Sequence, residues 1–138
     1  MKRAITVFAI ATLIKVAALH AGTVALPSLS NLNTEISMKT NYGKWKLAEI
    51  SKDAELLSKL ADEKQMSTRM NVAKNLYTSS KTLQKLAKDE RREVRECVAQ
   101  NINTSVAVLK KLVNDDDGYV AQAAQISFAA KQTIVASR

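Results

Sequence analysis

The sequence predicts an all-α protein built from helix-pair repeats, and three observations carry that expectation. A 26-residue phrase occurs three times without a gap: Leu57-Ser58-Lys59-Leu60-Ala61, Leu83-Gln84-Lys85-Leu86-Ala87 and Leu109-Lys110-Lys111-Leu112-Val113. Self-similarity at such a period marks a supersecondary unit that cannot bury its own apolar face and so stacks on its neighbour. The apolar residues of each phrase fall at the i, i+3, i+4 spacing of one helical stripe: Leu56, Leu57 and Leu60; Leu83, Leu86 and Ala87; Leu109, Leu112 and Val113. Finally, 138 residues with three Gly, one Pro and 4% aromatic side chains lack the turn residues that a sandwich or barrel needs every ~8–12 positions.

Taken in chain order, residues 1–26 form an apolar leader. Lys2 and Arg3 precede the run Ala4 to Ile14, and small residues follow at Ala17, Ala18 and Ala21. That layout fits a secretory signal peptide, a helix that caps the first repeat, or a membrane or interfacial anchor. Lys15 would lie near mid-bilayer in a helix spanning residues 4–26, where a charge costs ~2.5–3.5 kcal/mol, so a stable transmembrane helix is the least favoured of these. A retained leader favours a cytoplasmic protein, and a cleaved one an exported or periplasmic protein. Residues 27–34 carry the only proline together with Ser and Asn, and read as a linker.

The helical-repeat domain is expected over 35–138, with units near 57–82, 83–108 and 109–138. A degenerate half unit precedes them: Ile50 to Leu57 matches Ile102 to Leu109 at twice the period, and Tyr42, Trp45, Leu47 and Ala48 belong to the helix before it. That makes about three and a half helix pairs.

Each unit opens with a residue able to cap a helix: Ser51 or Asp53, Thr78 or Ser79, Thr104 or Ser105. The short first helix ends at a polar cluster (Asp62-Glu63-Lys64, Lys88-Asp89-Glu90, Asn114 to Asp117) whose carboxylates can cap the second helix. Asp115 to Asp117 lacks the spaced ligands and closing Glu of a calcium loop, so capping is the preferred role. In the second helix, Val72, Val94, Val98 and Val120 are expected in the core, with Ala73 and Ala99 permitting close helix approach. Asn75 and Asn101 are expected to end it in the left-handed conformation, with Leu76 and Ile102 as apolar anchors behind them. The third unit replaces that stop with Ser127-Phe128-Ala129-Ala130, so its second helix should run from about Gly118 to near Ile134.

The segment Leu86-Ala87-Lys88-Asp89-Glu90-Arg91-Arg92-Glu93-Val94-Arg95-Glu96-Cys97-Val98-Ala99-Gln100-Asn101-Ile102-Asn103-Thr104 resembles the leucine-rich repeat variant, a HEAT-like helical repeat. The resemblance extends more weakly over about 47–128. It implies a short right-handed α-solenoid used for binding. Some members of that family carry a cysteine-ligated iron–sulfur cluster, which the single Cys97 does not support.

Catalytic, cofactor and metal residues are expected to be absent. The one histidine, His20, lies in the leader, far in sequence from Cys97 and from the acidic clusters, and no Gly-rich phosphate loop occurs. The favoured function is a protein–protein adaptor or scaffold whose second-helix face, including Arg69, Arg95, Gln100 and Gln122, meets the partner. Nucleic-acid binding is the alternative, through Lys59, Lys85 and Lys111 with Arg91 and Arg92 as polyanion contacts. The net charge of +8 suits that alternative. It is spread along the chain, however, and Ala121 breaks the Arg69/Arg95 column. Membrane contact through residues 4–26 is the third partner class.

Overall fold

The structure is a computed structural model that describes residues 29–136. The leader and the choice among its readings lie outside the described residues. From residue 35 onward the described residues form one compact unit.

Eight helices and no strand occur among the described residues: α1 (Leu29–Ser37), α2 (Asn41–Ile50), α3 (Ala54–Leu60), α4 (Met66–Lys74), α5 (Ser80–Leu86), α6 (Arg92–Gln100), α7 (Val106–Leu112) and α8 (Gly118–Ala136). The stretch expected to be a linker is therefore helical from Leu29 onward. Its Ser and Asn residues suit helix ends, but Asn31 and Asn33 lie inside this helix.

Helices α3, α5 and α7 have seven residues each. Helices that short are unstable alone in water, so their existence depends on packing. They pack through the leucine stripe: Leu57, Leu60, Leu83, Leu86, Leu109 and Leu112 are all buried, and each fully buried leucine contributes ~1.5–3 kcal/mol. Asp53, Ser79 and Ser105 cap them, each accepting a backbone N–H from two or three residues on. The neighbouring hydroxyls of Thr78 and Thr104 are buried and donate back to the Val72 and Val98 carbonyls, closing the preceding helix.

The longer helices α2, α4, α6 and α8 pack against one another in chain order, and each also packs on the short helix beside it. Val72, Val94, Val98, Val120, Ala73 and Ala99 are completely buried at these junctions. The column of Ala73 and Ala99 becomes exposed Gln125 in α8. Helix α8 lacks an internal stop and runs on for 19 residues. At the other end, Gly43 stands where later units have Arg69 and Arg95. A Cβ there would lie 2.1 Å from the Ser37 carbonyl oxygen, so glycine is what lets the α1–α2 turn close.

Two expectations about the helix stops are corrected. Asn75 and Asn101 have φ of −69° and −73° with ψ near +125°, which is extended and not left-handed backbone. Asparagine is needed there for its side chain, as described below. Leu76 and Ile102 are also not anchored: they are 62% and 70% exposed, because the turn that follows each Asn directs them away from the core.

Leu86→Ala removes a buried side chain from between helix pairs and should lower stability by ~2–5 kcal/mol in urea unfolding. A change near zero would place Leu86 outside the core.

Candidate functional site

The side chains that hold successive units together define which surfaces remain available. Arg69 in α4 places Nε 2.7 Å from Asp89 Oδ2 and Nη2 3.0 Å from Asp89 Oδ1, a two-pronged pair to the turn of the next unit. Its Nη1 donates to the Glu63 and Lys64 carbonyls of its own unit, both at 2.9 Å. Arg95 repeats the arrangement one unit on, with both prongs on Asp115 at 2.8 Å and Nη1 on the Asp89 and Glu90 carbonyls. In the first unit, where Gly43 occupies this column, the neighbouring Lys44 reaches Glu63 at 2.9 Å. Planar guanidinium forks match carboxylates in this way, and the pairs are shorter and stronger than neutral hydrogen bonds.

Asparagine supplies a second set of ties. Asn75 Nδ2 lies within 2.9–3.2 Å of the Ala48, Glu49 and Ser51 carbonyls at the end of the preceding long helix. Asn101 Nδ2 bonds the Ala73 and Asn75 carbonyls at 2.7 and 3.1 Å. The amide oxygens accept from Tyr77 N and Asn103 N, shaping the turn. Among the described residues, every buried side-chain nitrogen and oxygen has a partner.

These contacts decide where the sequence candidates stand. Arg69 and Arg95 do not offer an open contact column: the Arg69 side chain is 11% exposed and Arg95 18%, and their guanidiniums are occupied by the next unit. The paired signal was present in the sequence, since Arg and Asp recur together with the same separation of 20 residues. The acidic turns serve the same purpose more than they serve capping. Helices α4 and α6 start without a side-chain cap, and of the carboxylates in these turns Asp117 alone caps a helix, accepting from Tyr119 N and Val120 N. Asp117 also lies 3.6 Å from Arg92.

Gln100 and Gln122, in contrast, come together on an accessible surface. With Glu96, Tyr119, Ala123, Ile126 and Ser127 they line a groove of about 340 Å³ between α6 and α8. Tyr119 and Ile126 are both 66% exposed at its sides. Gln100 Nε2 donates to Glu96 Oε1 at 3.1 Å, and Arg92 lies 5.3 Å from the Tyr119 ring centre. The sequence pointed to the two glutamines but not to Tyr119 and Ile126, which replace Glu93 and Gln100 of the preceding unit at the same repeat positions.

The basic candidates are exposed but largely paired. Lys59 meets Glu55 at 2.9 Å and Lys85 meets Asp62, while Lys111 and Arg91 are exposed on separate elements. Cys97 is buried, and burial pushes its thiol up, away from the thiolate that a nucleophile requires. Among the described residues, no group of three or more His, Cys, Asp or Glu is placed to hold a metal ion.

The hydrogen bonds from Arg95 hold the Asp115 carboxyl below its ordinary range, against the opposing effect of burial. A depressed folded-state value adds stability above the unfolded carboxylate value of ~3.9 and loses it as pH falls through the folded value. The urea midpoint should therefore drop below about pH 4, and Asp115→Asn should have a lower midpoint at pH 7 and a shallower acid limb. An acid limb identical to that of the parent would contradict the clamp.

No protein-family model, curated protein or solved structure matches this chain.

Proposed function

We propose that the chain is a non-catalytic protein-binding module, an adaptor or scaffold whose helix pairs form a short right-handed α-solenoid of the leucine-rich repeat variant or HEAT-like kind. The observation that carries this reading is the α6–α8 groove. It combines an exposed tyrosine, an exposed isoleucine and the carboxamides of Gln100 and Gln122 on two helices that pack directly together. Aromatic side chains with an apolar body and a polar tip dominate protein interfaces, and a few such anchors carry most of the binding energy. Mounted on two packed helices, they need little ordering when a partner arrives.

Nucleic-acid binding is the weaker alternative. Two of the three column lysines already lie on carboxylates, Arg69 and Arg95 face inward, and the acidic turns run beside the basic residues. A polyanion would have to displace these pairs and pass Asp116 and Glu90.

Affinity capture with the tagged full-length chain tests the adaptor reading. Tyr119→Ala combined with Ile126→Ser removes both groove anchors without touching the core, and should weaken retention of a specific partner by ~30-fold, the effect of losing a single strong anchor. Equal recovery of every captured protein, with the helical circular dichroism unchanged, would sink the groove assignment.

A further inference from the structure

The two edges of the repeat array have opposite chemistry. One edge holds the turns between short and long helices, with Asp62, Glu63, Asp89, Glu90 and Asp115 to Asp117. The other holds the turns that follow each long helix, and two of these, residues 75–80 and 101–106, contain no charged residue at all. Each turn of this second edge displays one large aliphatic side chain at the same repeat position: Ile50, Leu76 and Ile102, at 59%, 62% and 70% exposure. The turns are neighbours in space, because Asn75 bonds the Ser51 carbonyl, Asn101 bonds the Asn75 carbonyl and Asn103 bonds the Leu76 carbonyl. The aliphatic side chains therefore recur once per turn along the edge.

We propose that this edge docks on an anionic membrane surface, with Ile50, Leu76 and Ile102 entering the boundary between headgroups and acyl chains. Three features fit a bilayer. Lysines border the column: Lys74 and Lys81 bracket the central turn, Lys52 sits 5.7 Å from the exposed Tyr77 ring, and Lys131 bonds the Ile102 carbonyl. None of these four takes part in a salt bridge among the described residues. Lysine ammoniums at headgroup depth beside aliphatic and tyrosine side chains are how a surface segment grips an acidic leaflet.

The edge also pairs four of its backbone carbonyls. Those of Ser51, Asn75, Leu76 and Ile102 are each taken by a side chain from the next turn or helix. These four acceptors would enter a medium of low polarity already paired.

Finally, the carboxylates nearby are engaged: Glu49 is paired with Lys46, Asp53 caps α3 and Glu55 is paired with Lys59. No helix among the described residues is long and apolar enough to cross a membrane, so the contact is one of lying on the surface. The proposal is independent of the α6–α8 groove, which shares no residue with the column.

Co-sedimentation of the full-length chain with vesicles of phosphatidylcholine, alone or mixed with phosphatidylserine, tests this assignment. The parent should partition onto the phosphatidylserine vesicles. The triple variant Ile50→Ser, Leu76→Ser, Ile102→Ser should partition at least about tenfold less, as expected when several buried methylenes are lost from the contact. The three side chains are largely exposed, and an unchanged thermal unfolding profile verifies the fold. In a second variant, Lys74→Glu with Lys81→Glu should weaken binding to the acidic vesicles and leave the weak binding to neutral ones unchanged. Residues 1–26 are the same in all three proteins. Either a parent that does not bind acidic vesicles or a serine variant that binds like the parent would overturn the proposal. Loss of a captured protein with vesicle binding intact would also overturn it, assigning the edge to a protein partner.

Discussion

Stacking one helix pair on another buries the polar ends of helices, and those ends must find partners inside the junction. This constraint governs the rest of the structure. A buried carbonyl or amide left without a partner costs ~1–3 kcal/mol, enough to offset much of what a buried leucine contributes. The repeat meets it with two side chains per unit. An arginine joins the turn of its own unit to the acidic turn of the next, and an asparagine reaches back to the end of the preceding long helix. The leucine stripe supplies non-directional attraction. The arginine and asparagine fix the register, because each has only one set of partners within reach.

The same constraint sets the surface. The second and third acidic turns, which look in isolation like a cation site or a row of helix caps, have Asp89 and Asp115 occupied by the guanidiniums of the preceding unit. The opposite edge has four of its carbonyls taken by asparagine and lysine, and it carries two uncharged turns and outward aliphatic side chains. The ends of the array differ again. At Gly43 the arginine column gives way to a close backbone turn, while α8 trades the column for Ala121 and exposes Tyr119, Gln122 and Ile126. The groove thus occurs where the repeat rule stops applying, which gives one part of the molecule a composition unlike the others.

Much of the fold was legible in the sequence because the period and the helical spacing both report burial. The leucine stripe, the buried valines and alanines, the serine and aspartate caps and the extended last helix all follow from local chemistry. The roles of Arg69, Arg95, Asn75 and Asn101 did not. A period shows that a column recurs, and both inward clamps and outward contact residues recur. Distinguishing them requires noticing that Arg and Asp recur as a pair, since a charge with a periodic opposite partner can be buried and an unpaired one cannot. Leu76 and Ile102 misled for the opposite reason. An apolar residue after a helix stop is usually an anchor, but here the asparagine side chain already closes the turn and the aliphatic group is free to point outward. Of the groove, the sequence named Gln100 and Gln122 but not Tyr119 and Ile126, because two apolar residues that interrupt otherwise polar columns do not by themselves report exposure.

A double-mutant cycle on Arg69 and Asp89 tests the clamp most directly. Unfolding free energies of the parent, Arg69→Met, Asp89→Leu and the double variant give the coupling between the two side chains. The inward, two-pronged geometry predicts that each single change is more harmful than the pair together, with a coupling of ~1–3 kcal/mol. Single effects that add to within ~0.5 kcal/mol would contradict it and would leave the asparagine ties and the leucine stripe to hold the units in register.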